Sequence, residues 1–142
     1  MGALERAQAL IEKADPSKTL PLCEIKEIEI SREALFKIVD ITEKFISLNS
    51  KVALVVDKTT ILRQQLDVKK LVRELLASKF VVVSVELDDG YTELHASEDI
   101  INESAKQSKG VDGIITIGGG TITDIGKMTS VALGGIPHIA IQ

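Results

Sequence analysis

The chain has 142 residues, the usual size of one domain and enough to bury a core. Apolar residues make up 44% and aromatic residues only 3%, so the core must consist of aliphatic side chains, as in buried parallel sheets. The net charge is −4, and without a basic stripe or stacking aromatics we expect no nucleic-acid binding. Because no apolar run approaches the roughly 20 residues of a membrane helix and Cys23 is the only cysteine, we expect a cytoplasmic protein with no membrane association.

The first fifty residues predict two helices and one strand. Residues 3–14 have a helical pattern that stops at Asp15-Pro16. Apolar side chains alternate in residues 23–30, which predicts an outer strand with Cys23 packed on it. Ser31 is a favourable N-cap, and the apolar positions between residues 35 and 46 fall on one face of a second helix.

From Lys51 onward, strands and helices alternate with short links. Buried strands are predicted at 52–56, 80–85, 113–117 and 137–141, with helices at 66–77, 97–108 and 121–133. We expect the charges between Lys69 and Glu74 to form a solvated face. This order is typical of an α/β fold with a doubly wound parallel sheet. Its ligands bind at the carboxyl ends of the strands, here Asp57, the 87–90 loop, the 118–121 loop and Gln142.

Three consecutive glycines, Gly118 to Gly120, follow the third strand and open a helix. Their backbone can approach an anion closely, and the first N–H groups of a helix point towards it. A tight turn alone would need one glycine, so we favour phosphate binding. The spacing is not G-x-G-x-x-G, because Thr123 occupies the sixth position, and it is not a Walker A loop, because Met128 replaces the hydroxyl residue.

The pattern instead reads G-G-G-x-x-x-D-x-x-K, from Gly118 to Lys127. It resembles the signature of the superfamily of iron-containing alcohol dehydrogenases, glycerol dehydrogenases and dehydroquinate synthases. The strand end Val55-Val56-Asp57 and its spacing to the glycines also fit, and the similarity covers about residues 51–142. The string from Leu94 to Glu98, with Gly-Thr-Ile-Thr-Asp, most resembles the glycerol-1-phosphate dehydrogenases.

The resemblance implies the Rossmann-like N-terminal domain of the dehydroquinate synthase-like fold, binding NAD or NADP. It implies that Asp57 lies near the adenosine ribose, which favours NAD. The implied cofactor residues are Asp57, Gly118, Gly119, Gly120, Thr121, Ile122, Asp124 and Lys127. Three structural alternatives stay open: Asp57 as a turn former, Asp124 as an ordinary helix acid and Lys127 as a solvated lysine.

The resemblance also implies a zinc or iron ion held by a separate helical domain. We expect its ligands and the catalytic residues beyond Gln142, so none is assigned in this chain, which alone should be inactive. Residues 1–50 would then precede an NAD(P)-binding region at 51–142. We expect His95 to be a solvated loop residue and His138 to be structural.

The expected function is hydride transfer to or from a polyol or a glycerol phosphate by a metal-dependent dehydrogenase. Bare apolar edges beside the last strand and Gly134-Gly135 lead us to expect a homo-oligomer. Two alternatives remain: a dehydroquinate synthase-like lyase domain, and a free-standing nucleotide-binding module.

Overall fold

Aliphatic runs and amphipathic stretches alternate along the chain and fold into strands and helices in the same order. The computed structural model describes residues 1–21 and 23–142. Its α-helices are α1 (Ala3–Ala14), α2 (Ile38–Glu43), α3 (Val68–Ala77), α4 (Glu98–Gln107) and α5 (Gly120–Ala132), with a 3-10 helix at Ala34–Lys37. Its strands are β1 (Lys51–Asp57), β2 (Leu62–Arg63), β3 (Leu66–Asp67), β4 (Val81–Leu87), β5 (Gly113–Ile117) and β6 (His138–Ile141).

The four longer strands form one parallel sheet in the order β4-β1-β5-β6. β1 is central because both β4 and β5 pair with it, and its five residues from Val52 to Val56 are all buried. The predicted parallel α/β sheet is therefore confirmed.

Two hydrophobic clusters cover the two faces of this sheet, because successive side chains of a strand point to opposite sides. Val52, Leu54 and Val56 of β1 pack in one cluster with side chains of α3. Ala53 and Val55 pack in the other cluster with side chains of α4 and α5. Helices on both faces make the sheet doubly wound, as predicted.

Residues 1–34 form a compact unit separate from residues 35–142. In the first unit, α1 forms as predicted, although none of its residues is buried. The predicted strand at 23–30 is wrong, and Cys23 is exposed rather than packed. The apolar alternation changes phase between Ile25 and Ile28, so no single strand face collects these side chains. The division at residue 50 stays a prediction; Ile38 and Ile46 belong to the core cluster of the second unit.

The structure differs from the prediction in three further places. The helix predicted after Ser31 is a 3-10 helix at Ala34–Lys37 followed by α2, whose N-cap residue is Lys37 rather than Ser31. Helix α3 begins at Val68 rather than at residue 66, because Leu66-Asp67 pairs with Leu62-Arg63 in a small antiparallel hairpin and Asp67 caps the helix. Strand β4 is only partly buried, since it lies at an edge of the sheet, and Val81 is 51% exposed. Within the described residues, every helix is too short or too polar to cross a membrane.

Helix α5 lies unusually close to β5 and β6 because of Gly126. A Cβ atom at this position would lie too close to the Thr116 side chain and 2.6 Å from Nε2 of His138. Thr116 is fully buried and cannot move aside easily. This close contact fixes the helix that begins at Gly120, the last of the three glycines.

Candidate functional site

The direction of the chain connections reverses between β1 and β5. From β1 the chain passes through α3 to β4 on one side, and from β5 it passes through α5 to β6 on the other. In such sheets the loops at this reversal separate and leave a crevice at the carboxyl ends of the strands. Val56 pairs with Ile117, so Asp57 and Gly118 open the two loops that border this crevice.

Only the first of the three glycines is required by the fold itself. Gly118 has a φ of +147°, and a Cβ atom there would lie 2.5 Å from the Ile122 side chain. Gly119 and Gly120 have no positive φ, and a Cβ atom on either would meet nothing within 4 Å. The packing of this chain therefore does not require glycine at these two positions. Without side chains, they leave the backbone open at the surface.

That open surface covers the start of α5. Gly119 is the N-cap residue and offers no side-chain cap, and the first backbone bond runs from Thr123 N to Gly119 O over 3.2 Å. The N–H groups of Gly120, Thr121 and Ile122 precede this bond and have no partner within the helix. Together with the helix dipole they can bind an anion.

Neighbouring side chains hold the glycine loop in place. Thr123 Oγ1 donates to Gly119 O at 3.0 Å and accepts from Gln142 Nε2 at 3.0 Å. Gly118 N donates to Ile141 O at 3.0 Å, which ties the loop to the end of β6. The loop is therefore preorganised by bonds that leave the first-turn N–H groups of α5 unused.

Asp57 lies at the end of β1 with its carboxylate 23% exposed. Its Oδ1 accepts from Thr59 N at 2.9 Å and from Lys69 Nζ at 3.0 Å. Asp57 therefore does form a turn, through its Oδ1. The ribose contact stays a prediction, and Oδ2 is the oxygen that could make it.

Lys69 was predicted to be solvated, and this prediction is wrong. The residue is only 9% exposed, and its ammonium also donates to Asp57 O and Thr59 O. The sequence carries a signal for this burial, because positions 69, 72 and 76 follow helical spacing and Val72 and Leu76 are core residues.

Asp124 and Lys127 form an ion pair on the second turn of α5. Their side chains are 62% and 66% exposed, and 3.4 Å separates Asp124 Oδ1 from Lys127 Nζ. An exposed pair of this kind contributes little to stability, so both side chains are free to turn towards a bound ligand.

The loop after β4 forms a second polar cluster at the same edge of the sheet. Asp89 Oδ2 accepts from His95 N and lies 2.9 Å from His95 Nδ1, while Lys58 Nζ contacts Asp88 Oδ1 at 3.2 Å. Burial raises the pKa of Asp89, but hydrogen bonds from His95 and Tyr91 outweigh this and hold it below its ordinary value. His95 is exposed, as predicted, and is also oriented by Asp89.

A metal ion does not fit the described residues. In residues 1–21 and 23–142, no three His, Cys, Asp or Glu side chains are grouped so that they could hold one. We therefore assign no metal-dependent step to these residues.

A comparison with known protein families identifies the family of this chain. The family model of the iron-containing alcohol dehydrogenases matches residues 29–142, which is well over half of the chain and includes the whole sheet. None of the curated proteins matches the chain. The chain therefore belongs to the family of iron-containing alcohol dehydrogenases.

Proposed function

We propose that this chain binds NAD or NADP across the crevice between β1 and β5, as the nucleotide-binding part of a metal-dependent dehydrogenase. The observation that carries the proposal is the open backbone at Gly119 and Gly120, directly over the uncapped start of α5. A turn without a ligand would need neither glycine, whereas a pyrophosphate in contact with the backbone needs both.

The chain's own residues would bind and orient the dinucleotide. The N–H groups of Gly120, Thr121 and Ile122 donate to the pyrophosphate, with the positive end of the α5 dipole behind them. At the end of β1, next to the glycine loop, Asp57 Oδ2 accepts hydrogen bonds from the hydroxyl groups of the adenosine ribose. Lys127 supplies a positive charge near the phosphates, because its exposed ion pair with Asp124 is weak and leaves its side chain free to turn towards them.

The bound nicotinamide would supply the hydride chemistry. We propose a polyol or a glycerol phosphate as the substrate, which the family membership and the Leu94–Glu98 string support. Because this chain alone should be inactive, the substrate is tested with the chain joined to a metal-binding helical domain of the same family. Formation of reduced nicotinamide from glycerol, and separately from glycerol 1-phosphate, is then followed by absorbance.

Calorimetric titration with NAD, NADP and magnesium-ATP tests the nucleotide site. Either dinucleotide should bind and release heat, because both present a pyrophosphate to the glycine loop. NAD should bind more tightly, because Asp57 repels the additional phosphate of NADP. Tight binding of magnesium-ATP with no heat from either dinucleotide would refute the proposal.

The variant Gly119→Val tests the role of the loop itself. A valine side chain would stand on the open surface and keep the pyrophosphate from the backbone, so affinity should fall about tenfold or more. Stability should change by less than about 1 kcal/mol, because nothing lies within 4 Å of the new Cβ atom. Thermal unfolding and calorimetry measure the two effects separately.

Gly2→Val is the matched control, since Gly2 is also an extended N-cap glycine, at the start of α1. It should leave dinucleotide affinity unchanged. Equal affinities of Gly119→Val and the unmodified chain would exclude the phosphate-loop role.

A further inference from the structure

Lys69 belongs to α3, but its ammonium lies at the carboxyl end of β1, beside the proposed ribose contact. We propose that Lys69 is a positioning residue, which holds the Asp57 carboxylate in the orientation that binds the adenosine ribose. This inference rests on the proposed dinucleotide site and names the residue that determines its ribose recognition.

The ammonium of Lys69 has three donors and three oxygen partners. It donates to Asp57 O at 2.6 Å, to Asp57 Oδ1 at 3.0 Å and to Thr59 O. Burial of an ammonium is costly unless each donor is satisfied, and here all three are. The Lys69 side chain is only 11% exposed, so water does not compete effectively for these bonds.

These bonds fix the carboxylate as well as the backbone. Asp57 Oδ1 accepts from both Lys69 Nζ, on helix α3, and Thr59 N, in the loop that follows β1. With two donors on one oxygen, rotation about the Cβ–Cγ bond would break both contacts. The other oxygen, Oδ2, is left as the acceptor available to a ligand, since the Asp57 side chain is 23% exposed.

If Lys69 only joined α3 to the end of β1, its hydrogen bond to Asp57 Oδ1 would not be needed. Contacts to the two backbone oxygens, Asp57 O and Thr59 O, already join α3 to the β1 loop. The bond to Oδ1 adds a charge-assisted contact whose consequence is the direction of the carboxylate. This part of the arrangement is the one that ligand binding can test.

A double-mutant cycle on the full chain separates positioning from general support. NAD affinity is measured by calorimetry for the unmodified chain, Lys69→Met, Asp57→Asn and the double variant. Each single variant should bind NAD about tenfold or more weakly, because Asp57→Asn removes the charge from the ribose acceptor and Lys69→Met removes the bond that orients it. If Lys69 acts through Asp57, the double variant should bind no more weakly than Asp57→Asn. Independent losses that add in the double variant would overturn the inference.

A second probe is an NAD analogue whose adenosine ribose lacks both hydroxyls. The unmodified chain and Lys69→Met should bind this analogue with equal affinity, because the contact that Lys69 supports is absent from it. A loss of similar size for NAD and for the analogue would mean that Lys69 only stabilises the fold.

Lys70→Met is the matched control, since Lys70 is the exposed neighbour of Lys69 on the first turn of α3. It should leave the affinities for NAD and for the analogue unchanged. If Lys69→Met does not keep the far-ultraviolet circular dichroism of the unmodified chain, Lys69→Leu, which also removes the donor, replaces it in the cycle with the same criteria. Absence of NAD and NADP binding to the unmodified chain would refute the proposed function, and this inference with it; NAD binding with additive losses would refute the inference alone.

Discussion

One half-buried histidine, His138, makes the stability of the sheet depend on pH. His138 Nε2 lies 2.8 Å from Thr116 Oγ1, in the space that Gly126 leaves beneath α5. Burial, and then the positive charge of Lys127, lower the pKa of His138 below its ordinary value near 6.5. His138 was expected to be structural, and this packed, hydrogen-bonded position agrees with that role.

The sign of the pH dependence follows from the lowered pKa. Between the pKa of His138 in the folded chain and about 6.5 in the unfolded chain, the unfolded state binds more protons. The contribution of neutral His138 to the free energy of unfolding is therefore fully present above pH ~6.5. It is lost as the pH falls towards the pKa of His138 in the folded chain, by up to about 1.4 kcal/mol per pH unit. Urea unfolding at a series of pH values, in a His95→Gln background that removes the other histidine, measures this slope. His138→Gln should flatten it, and an unchanged slope in that variant would assign the effect to other groups.

At the scale of elements, the hairpin between β1 and α3 is closed by an unfavourable pair of residues. Gln64 and Gln65 form its two-residue turn with φ values of +49° and +66°, in the left-handed region that side chains with a Cβ atom disfavour. Two-residue turns of this hand prefer Asn-Gly. The hairpin therefore carries backbone strain close to the loop that Lys69 ties to Asp57.

Replacing Gln64-Gln65 with Asn-Gly should relieve this strain. We expect the free energy of unfolding to rise by about 1 kcal/mol, because both new residues tolerate positive φ and a residue with a Cβ atom costs roughly 1–2 kcal/mol there. Denaturant unfolding measures the change. Ala-Ala at the same two positions is the control and should bring no gain; equal stabilisation by both pairs would show that strain is not the cause.

For the molecule as a whole, the strand order of the described sheet bears on association. β4 and β6 are its edge strands, and exposed edges present unpaired backbone groups that can pair with another chain. Val81 on β4 is 51% exposed, and Val131 on the outer face of α5 is 63% exposed. These surfaces support the prediction that the chain associates with copies of itself.

Sedimentation velocity over a range of protein concentrations tests this prediction. The weight-average sedimentation coefficient should rise with concentration, because edge pairing and apolar contact are intermolecular. Val131→Lys should lessen the rise if the α5 face takes part, whereas Lys70→Met should leave it unchanged. A single monomeric species at the highest concentration would contradict the prediction.

Local sequence patterns predict the parallel sheet, its helices and the location of the glycine loop. Continuous aliphatic runs such as Val52–Val56 can be buried only between two helical layers, and local spacing places Gly118–Gly120 between a strand and a helix. These features depend on neighbouring residues along the chain, so they can be predicted from local patterns.

Features that depend on contacts between residues distant in the sequence become visible only in the packed chain. The burial of Lys69 requires the end of β1 as its partner, twelve residues earlier in the chain. The half-exposure of β4 follows from its edge position, and the separate roles of Gly118 and of Gly119-Gly120 follow from what lies around each Cβ position. Sequence patterns identify which residues can bury a charge or approach a phosphate, but only the packed chain places the partner beside them.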